Sequence, residues 1–226
     1  MKSILPHHSI ILLNKTKLPG VSTDGVICVI LCCSALEAFL HELAAWYAFI
    51  NDAKLSINGY RRSGVVKTKD GWIKIQQSEI DLLHLIEQLE KNNVCISEKY
   101  REINKYLGKS IRAKGEQPFQ NFSDLINIRN KVVHLKTVPL KLDHSESFIA
   151  PESIPKVLRN LGQQKVVDLS SSKVSWIDSL NSEGFIVWCR KACGEIIADI
   201  LDSLPNEDAS KTFRLEYCDS LKHGKG

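Results

Sequence analysis

The sequence predicts an all-α protein, a helical bundle interrupted by two non-helical insertions. Three observations carry that expectation. Apolar residues recur at three- and four-residue spacing over several long stretches, which is helical periodicity. Residues 26–50 form one apolar run far longer than an ordinary strand. Strand-like alternation is confined to a short segment within residues 54–74. We expect one domain over 1–226, with insertions at about 54–74 and 137–174 and a tail over 205–226. At 226 residues, 43% hydrophobic and 25% charged, the chain falls among ordered globular proteins.

Taken in order, residues 1–20 hold a short apolar run between Pro6 and Pro19-Gly20, read as a strand-like arm or a loop. His7 and His8 are read as a solvated pair. Ser22-Thr23-Asp24 supplies a start for a long helix reaching about Ile50. Its first half, VICVILCC, is apolar on all sides and is expected to be surrounded by other helices. Ser34, Glu37 and His41 follow on one stripe. The run is long enough to span a bilayer. Glu37, His41 and Glu42 near its middle argue for a buried central helix instead, because ionisable groups in hydrocarbon are costly. No membrane partner is expected.

Residues 54–74 break the helical pattern. Asn58-Gly59 and Asp70-Gly71 mark turns, and VVKT with WIKI reads as a short hairpin. Lys54, Arg61, Arg62, Lys67, Lys69 and Lys74 face a single acid, Asp70, with Tyr60 and Trp72 interleaved. That composition suits a phosphate backbone with a stacked base, or a solvated loop. Residues 78–91 read as an amphipathic helix ended by Asn92-Asn93, and residues 96–107 as another. The exposed side of the second, with its following loop, carries Lys99, Arg101, Lys105, Lys109, Arg112 and Lys114 against Glu102. Residues 137–174 lose the pattern, apart from a short helix near 155–161. Periodicity returns at Trp176, with a helix from about Ser182 ended by Pro205-Asn206. The basic tail beyond is read as frayed.

The formal charge, 30 − 26 = +4, is too mild to name a partner. Seven cysteines form no secreted disulfide framework, and the chain opens on no charged-then-apolar leader. A reducing cytoplasm is the expected compartment. Cys28 with Cys32 and Cys189 with Cys193 are paired at helical spacing, which admits a four-thiolate metal site. Both pairs sit in apolar runs, where free cysteine behaves as core, so we expect no metal and no cofactor.

The chemistry concentrates in residues 121–136, NFSDLINIRNKVVHLK. Asn121 or Ser123 can cap a helix there, and Leu125, Ile128, Val132 and Leu135 make its apolar stripe. With Asn127 at zero and about 100° per residue, that stripe spans roughly 80° to 160°. Asn127, Asn130, Lys131 and His134 fall on the opposite side. Arg129 lands near 200°, on the apolar flank between Val132 and Val133, where a guanidinium needs a carboxylate, water or another subunit. Glu37 is the first candidate partner and Glu42 the second.

Arg129-Asn130-x-x-x-His134, on a late helix of a helical chain, resembles the Rx4-6H motif of HEPN domains, including the polar residue after the arginine. SALEAFLHELAAW, residues 34–46, resembles the early acidic helix of that family. The likeness covers two helices. It implies a HEPN-like bundle and a metal-independent endoribonuclease, of a prokaryotic toxin or anti-phage defence kind. It implies a homodimer with a composite active site, RNA as substrate and an antitoxin or regulatory partner. His134 would be general base or acid, Arg129 the phosphate clamp and Asn130 the residue that orients them. Glu37 and Glu42 would support the site. RNA contacts would fall to Lys131, Arg61, Arg62, Lys105, Lys109 and Arg112. Toxins of the family that pair with nucleotidyltransferase antitoxins carry a tyrosine two positions after the histidine. Lys136 stands there in this chain, which puts regulation by tyrosine modification in doubt. Two other readings stand beside this one. One is a HEPN-like module that binds RNA or protein without catalysis. The other is an unrelated helical interaction protein in which Arg129 merely pairs with an acid.

Overall fold

In a computed structural model, residues 7–57, 60–68, 71–108, 116–134, 141–142, 148–149, 154–169 and 175–223 are described. The protein is mostly helical, as expected. Its helices are α1 (His8–Lys15), α2 (Gly25–Asp52), α3 (Gln77–Lys91), α4 (Ile96–Tyr106), α5 (Phe119–Val133), α6 (Lys156–Gln163), α7 (Glu183–Ser203) and α8 (Asp208–His223). A short 3-10 helix covers Trp176–Leu180. The strands are β1 (Lys54–Ile57), β2 (Tyr60–Ser63), β3 (Val65–Thr68), β4 (Gly71–Lys74), β5 (Lys141–Leu142) and β6 (Phe148–Ile149), paired as three antiparallel hairpins.

The chain divides into two compact units, three of whose four boundaries fall inside the sequences of α1, α2 and α7 and the fourth between α4 and α5. One unit holds residues 1–11, 35–116 and 196–226. Its core gathers Phe39, Leu43, Trp46 and Tyr47 of α2, Leu82 and Ile86 of α3, Tyr100 and Ile103 of α4, and Phe213 and Tyr217 of α8. Burying such large side chains stabilises by about 1.5–3 kcal/mol each before entropy is subtracted. The Tyr100 hydroxyl donates to the Leu36 carbonyl at 3.1 Å, and Trp46 Nε1 donates to the Ala209 carbonyl at 2.8 Å.

Two buried glutamates organise this unit. Glu42 of α2 accepts the Ser9 backbone N–H on Oε1 and the Ser9 hydroxyl on Oε2, both at 2.7 Å. Glu79 of α3 accepts the Ser210 N–H at 2.8 Å and the Ser210 hydroxyl at 2.7 Å on Oε1. Its Oε2 accepts the Gln76 N–H at 2.9 Å. Ser9 and Ser210 lie in the first turns of α1 and α8, whose leading N–H groups lack intrahelical partners. A carboxylate there satisfies orphan donors and meets the positive end of the helix dipole. Tyr47 shares its hydroxyl with Ser210 at 2.7 Å, and burial pushes its phenol up, so it stays neutral.

These contacts account for three departures from the sequence expectation. Residues 8–15 are a helix rather than an arm or loop, because Glu42 holds its start. His7 is buried against Phe213 and Tyr217, with Nδ1 3.4 Å from Glu42, while His8 is exposed. The tail, read as frayed, is α8 over Asp208–His223, docked through Ser210, Phe213 and Tyr217.

The hairpin expected from VVKT and WIKI is β3–β4, with Lys67 opposite Trp72 and Val66 opposite Ile73. β1 and β2 add a second hairpin across Asn58-Gly59. β4 packs on α8, and Ile73 and Ile75 are buried.

The other unit holds residues 12–34 and 117–195. Asp24 Oδ1 caps the start of α2 by accepting the Ile27 N–H at 3.0 Å, as its sequence predicts. The Gly25 N–H donates to Asn181 Oδ1 at 3.0 Å. A Cβ on Gly25 would lie 2.0 Å from the Leu180 carbonyl oxygen, so no other residue fits without backbone movement. Arg190 donates through Nε to Thr16 Oγ1 at 3.0 Å and through Nη2 to the Thr16 carbonyl. α5 packs on α6.

α2 is the one helix among the described residues long and apolar enough to cross a membrane, and more than half of that stretch is buried inside the protein. Its first half is not enclosed on all sides as expected. Ile27 and Ile30 are 41% and 39% exposed, while Cys28, Val29 and Cys32 are fully buried.

Candidate functional site

α5 positions the R-N-x-x-x-H residues. It starts at Phe119, two residues before Asn121 and four before Ser123, so neither is the cap. Pro118 precedes it, where a missing N–H costs nothing. Gln117 Nε2 donates to Asn121 Oδ1 at 3.0 Å and Gln120 Nε2 to Asp124 Oδ2 at 2.9 Å, side-chain links that support the first turns. Phe122, Leu125, Ile126 and Ile128 are buried and Val132 is half-buried. The apolar stripe therefore faces inward where the periodicity put it, as far as the described residues reach. Leu135 and Lys136 lie outside them.

The last turn carries the candidate chemistry. Arg129 is half-buried, and Asn130, Lys131 and His134 are exposed. Val133 is 51% exposed, so the apolar flank beside Arg129 opens to solvent on one side. Arg129 Nη1 donates to Asn130 Oδ1 at 3.1 Å. Asn130 lies on the polar side of the helix. Asn130 and His134 stand one turn apart there, neighbours on a helix surface. His134 is the C-cap, and its N–H donates to the Asn130 carbonyl at 3.0 Å.

Asp124 went unnoticed in the sequence. It falls near 60° on the helical wheel, close to Lys131 at about 40° and two turns before it. Burial raises its carboxyl above the usual aspartate range, against the lowering hydrogen bond from Gln120. The signal was present in the polar stripe, but half-burial of that position was not legible from composition.

The supporting residues belong to the other unit. Glu37 is exposed on α2. Glu42 is buried, and its carboxylate oxygens accept both Ser9 donors.

Among the proposed RNA contacts, Arg61 and Arg62 stand on β2 opposite Ser56 and Leu55. Lys105 is paired with Glu102 at 3.7 Å on α4. Neighbouring Arg101 meets Glu98 at 2.6 Å and Lys99 meets Glu90 at 2.5 Å. The basic side of α4 is thus interleaved with acids, and the exposed pairs of Lys105 and Arg101 contribute little to stability. Lys109 and Arg112 lie outside the described residues.

The cysteine pairs do meet. Cys28, Cys32, Cys189 and Cys193 are all buried. Cys28 Sγ lies 3.9 Å from the Ile186 carbonyl and Cys193 Sγ 3.4 Å from that of Cys32, distances at which a thiol donates to a backbone oxygen. Hydrogen bonding from Cys189, then Cys32, pulls the Cys28 thiol down. Cys32 is pushed up by its bonds to Cys193 and Cys28, and Cys189 by burial. Among the described residues no group of three or more His, Cys, Asp or Glu side chains is arranged to hold a metal ion.

The fold and this site define a mostly helical protein with a basic, histidine-bearing helix end. No family model, curated protein or solved structure matches the chain.

Proposed function

We propose that the chain is a metal-independent endoribonuclease of the HEPN type that works as a homodimer. The observation that carries this reading is the Arg129–Asn130 hydrogen bond at the exposed end of α5, one turn from His134. It supports a unit in which Asn130 turns the arginine toward the polar side that bears the histidine.

RNA brings its own nucleophile, the 2′-hydroxyl. In this scheme His134 takes the 2′-proton as the oxygen attacks phosphorus, because a neutral imidazole has a nitrogen lone pair to accept it. Arg129 holds two non-bridging phosphate oxygens with its planar fork and stabilises the charge of the phosphorane. The P–O5′ bond then breaks, and the leaving oxygen takes a proton from the second subunit's imidazolium. The products are a 2′,3′-cyclic phosphate and a 5′-hydroxyl. One chain supplies one such histidine, so acid and base together need two copies. The half-open flank at Val133 supports that arrangement, since a second subunit would cover it beside Arg129. A dimer with the ends of α5 near its axis, cytoplasmic and acting on RNA, fits the chemistry. Lys131 adds a phosphate contact on the same exposed face.

The test is chemical. RNA incubated with purified protein should acquire cyclic-phosphate and 5′-hydroxyl ends, detected by the failure of 5′-hydroxyl products to ligate without prior phosphorylation. Expression should be toxic, and His134→Ala should relieve the toxicity. Products with 5′-phosphate ends would contradict 2′-hydroxyl attack.

A further inference from the structure

We propose that the outer face of the β3–β4 hairpin is a docking surface for single-stranded nucleic acid, with Trp72 as its stacking platform. The alternation of β4 separates its two faces. Ile73 is buried where the strand packs on α8, whereas its neighbours Trp72 and Lys74 are exposed, Trp72 to 48%. A lone exposed apolar residue would be unremarkable. This one does not stand alone. Its strand partner is Lys67, Lys74 follows two positions on, and residues 54–74 hold six basic residues against one acid.

Two further aromatics, Phe49 and Tyr106, are exposed in the same unit. Phe49 stacks on Trp46, whose indole N–H binds Ala209. Tyr106 donates its hydroxyl to the Ser78 carbonyl, next to the Glu79 that holds Ser210. Aromatics interleaved with cations favour single strands over duplexes, because every base offers a face to stack and the phosphates follow the cations. A duplex hides those base faces. The charge excess selects a polyanion over an apolar protein partner.

This surface does not depend on cleavage, and its test keeps the two apart. Labelled oligouridine is titrated into the His134→Ala protein, so that no cutting obscures binding, and polarisation is followed. Trp72→Ala in that background should weaken binding about tenfold, the loss of one base–aromatic stack. Trp72→Phe should recover most of it. Lys74→Gln should lower the salt dependence of binding by about one phosphate contact. A duplex of equal length should bind more weakly. Because Trp72 is exposed, its variants should keep the parent's melting temperature. Binding unchanged by Trp72→Ala, equal binding of duplex, or no binding of oligouridine by the folded protein would each overturn the proposal. Failure of the nuclease reading alone would leave oligouridine binding and its loss in Trp72→Ala intact.

Discussion

Two polar sets in this helical protein differ in how they are held. Glu42 and Glu79 are buried, and each holds the start of a helix remote in sequence by accepting a serine N–H and hydroxyl. Arg129, Asn130 and His134 lie at the end of α5, where the two last are exposed and the bond between the first two is local. The contrast teaches where to look for function. A buried carboxylate whose oxygens meet backbone donors is explained by the fold, because without them the helix start would be left unsatisfied. The Arg129–Asn130 bond holds no helix start and lies at the exposed end of α5, one turn from His134.

If that division holds, the variants should separate cleanly. The largest effect falls on cleavage. Arg129→Ala and His134→Ala should each lower the rate by at least about 100-fold, the usual weight of a general acid–base or charge-stabilising group. Their melting temperatures should stay near wild type. The reverse pattern belongs to the buried set. Glu79→Ala removes the acceptor of three hydrogen bonds and should cost about 3–5 kcal/mol of stability, seen in urea unfolding. A mild loss there would mean that water replaces the carboxylate and the network is weaker than its geometry.

Gly25→Ala sharpens the comparison on the backbone side. The added methyl meets the Leu180 carbonyl, and we expect a loss of about 1–3 kcal/mol by thermal unfolding, as for overpacked sites.

The smallest effect is Asp124→Asn. The folded carboxyl is raised above its unfolded value, so the folded state binds more protons between the two. Stability is therefore fullest below the ordinary aspartate pKa, falls as pH rises toward the raised value, and is level above it. The variant should lack that fall. It should melt slightly higher than wild type at neutral pH and the same at acid pH, with the gain small because the group is half exposed.

Local signals in the sequence were strong where local physics decides. Asp24 before α2, Asn92-Asn93 after α3, and the pairing of VVKT with WIKI as β3–β4 all sit where their residue types place them. α1 and α8 were not legible because their starts are held from a distance. Ser9 depends on a glutamate 33 positions on, and Ser210 on one 131 positions back. The same holds for His7, whose burial rests on α8. In α5 the inward stripe and the odd position of Arg129 were readable from the wheel. The Arg129–Asn130 bond and the half-burial of Asp124 were not, since both depend on rotamers and on packing of neighbouring helices. The acids that pair with the α4 lysines were visible as residues, but Glu90 reaches Lys99 only through the packing of α3 on α4.

The central claim is that the end of α5 cuts RNA without a metal. It is tested most directly by incubating a mixed RNA pool with purified protein in EDTA, beside Arg129→Ala and His134→Ala of equal melting temperature. The account predicts cleavage by the wild-type protein that persists in EDTA and is lost in both variants. Cleavage that EDTA abolishes, or that survives His134→Ala, would contradict it.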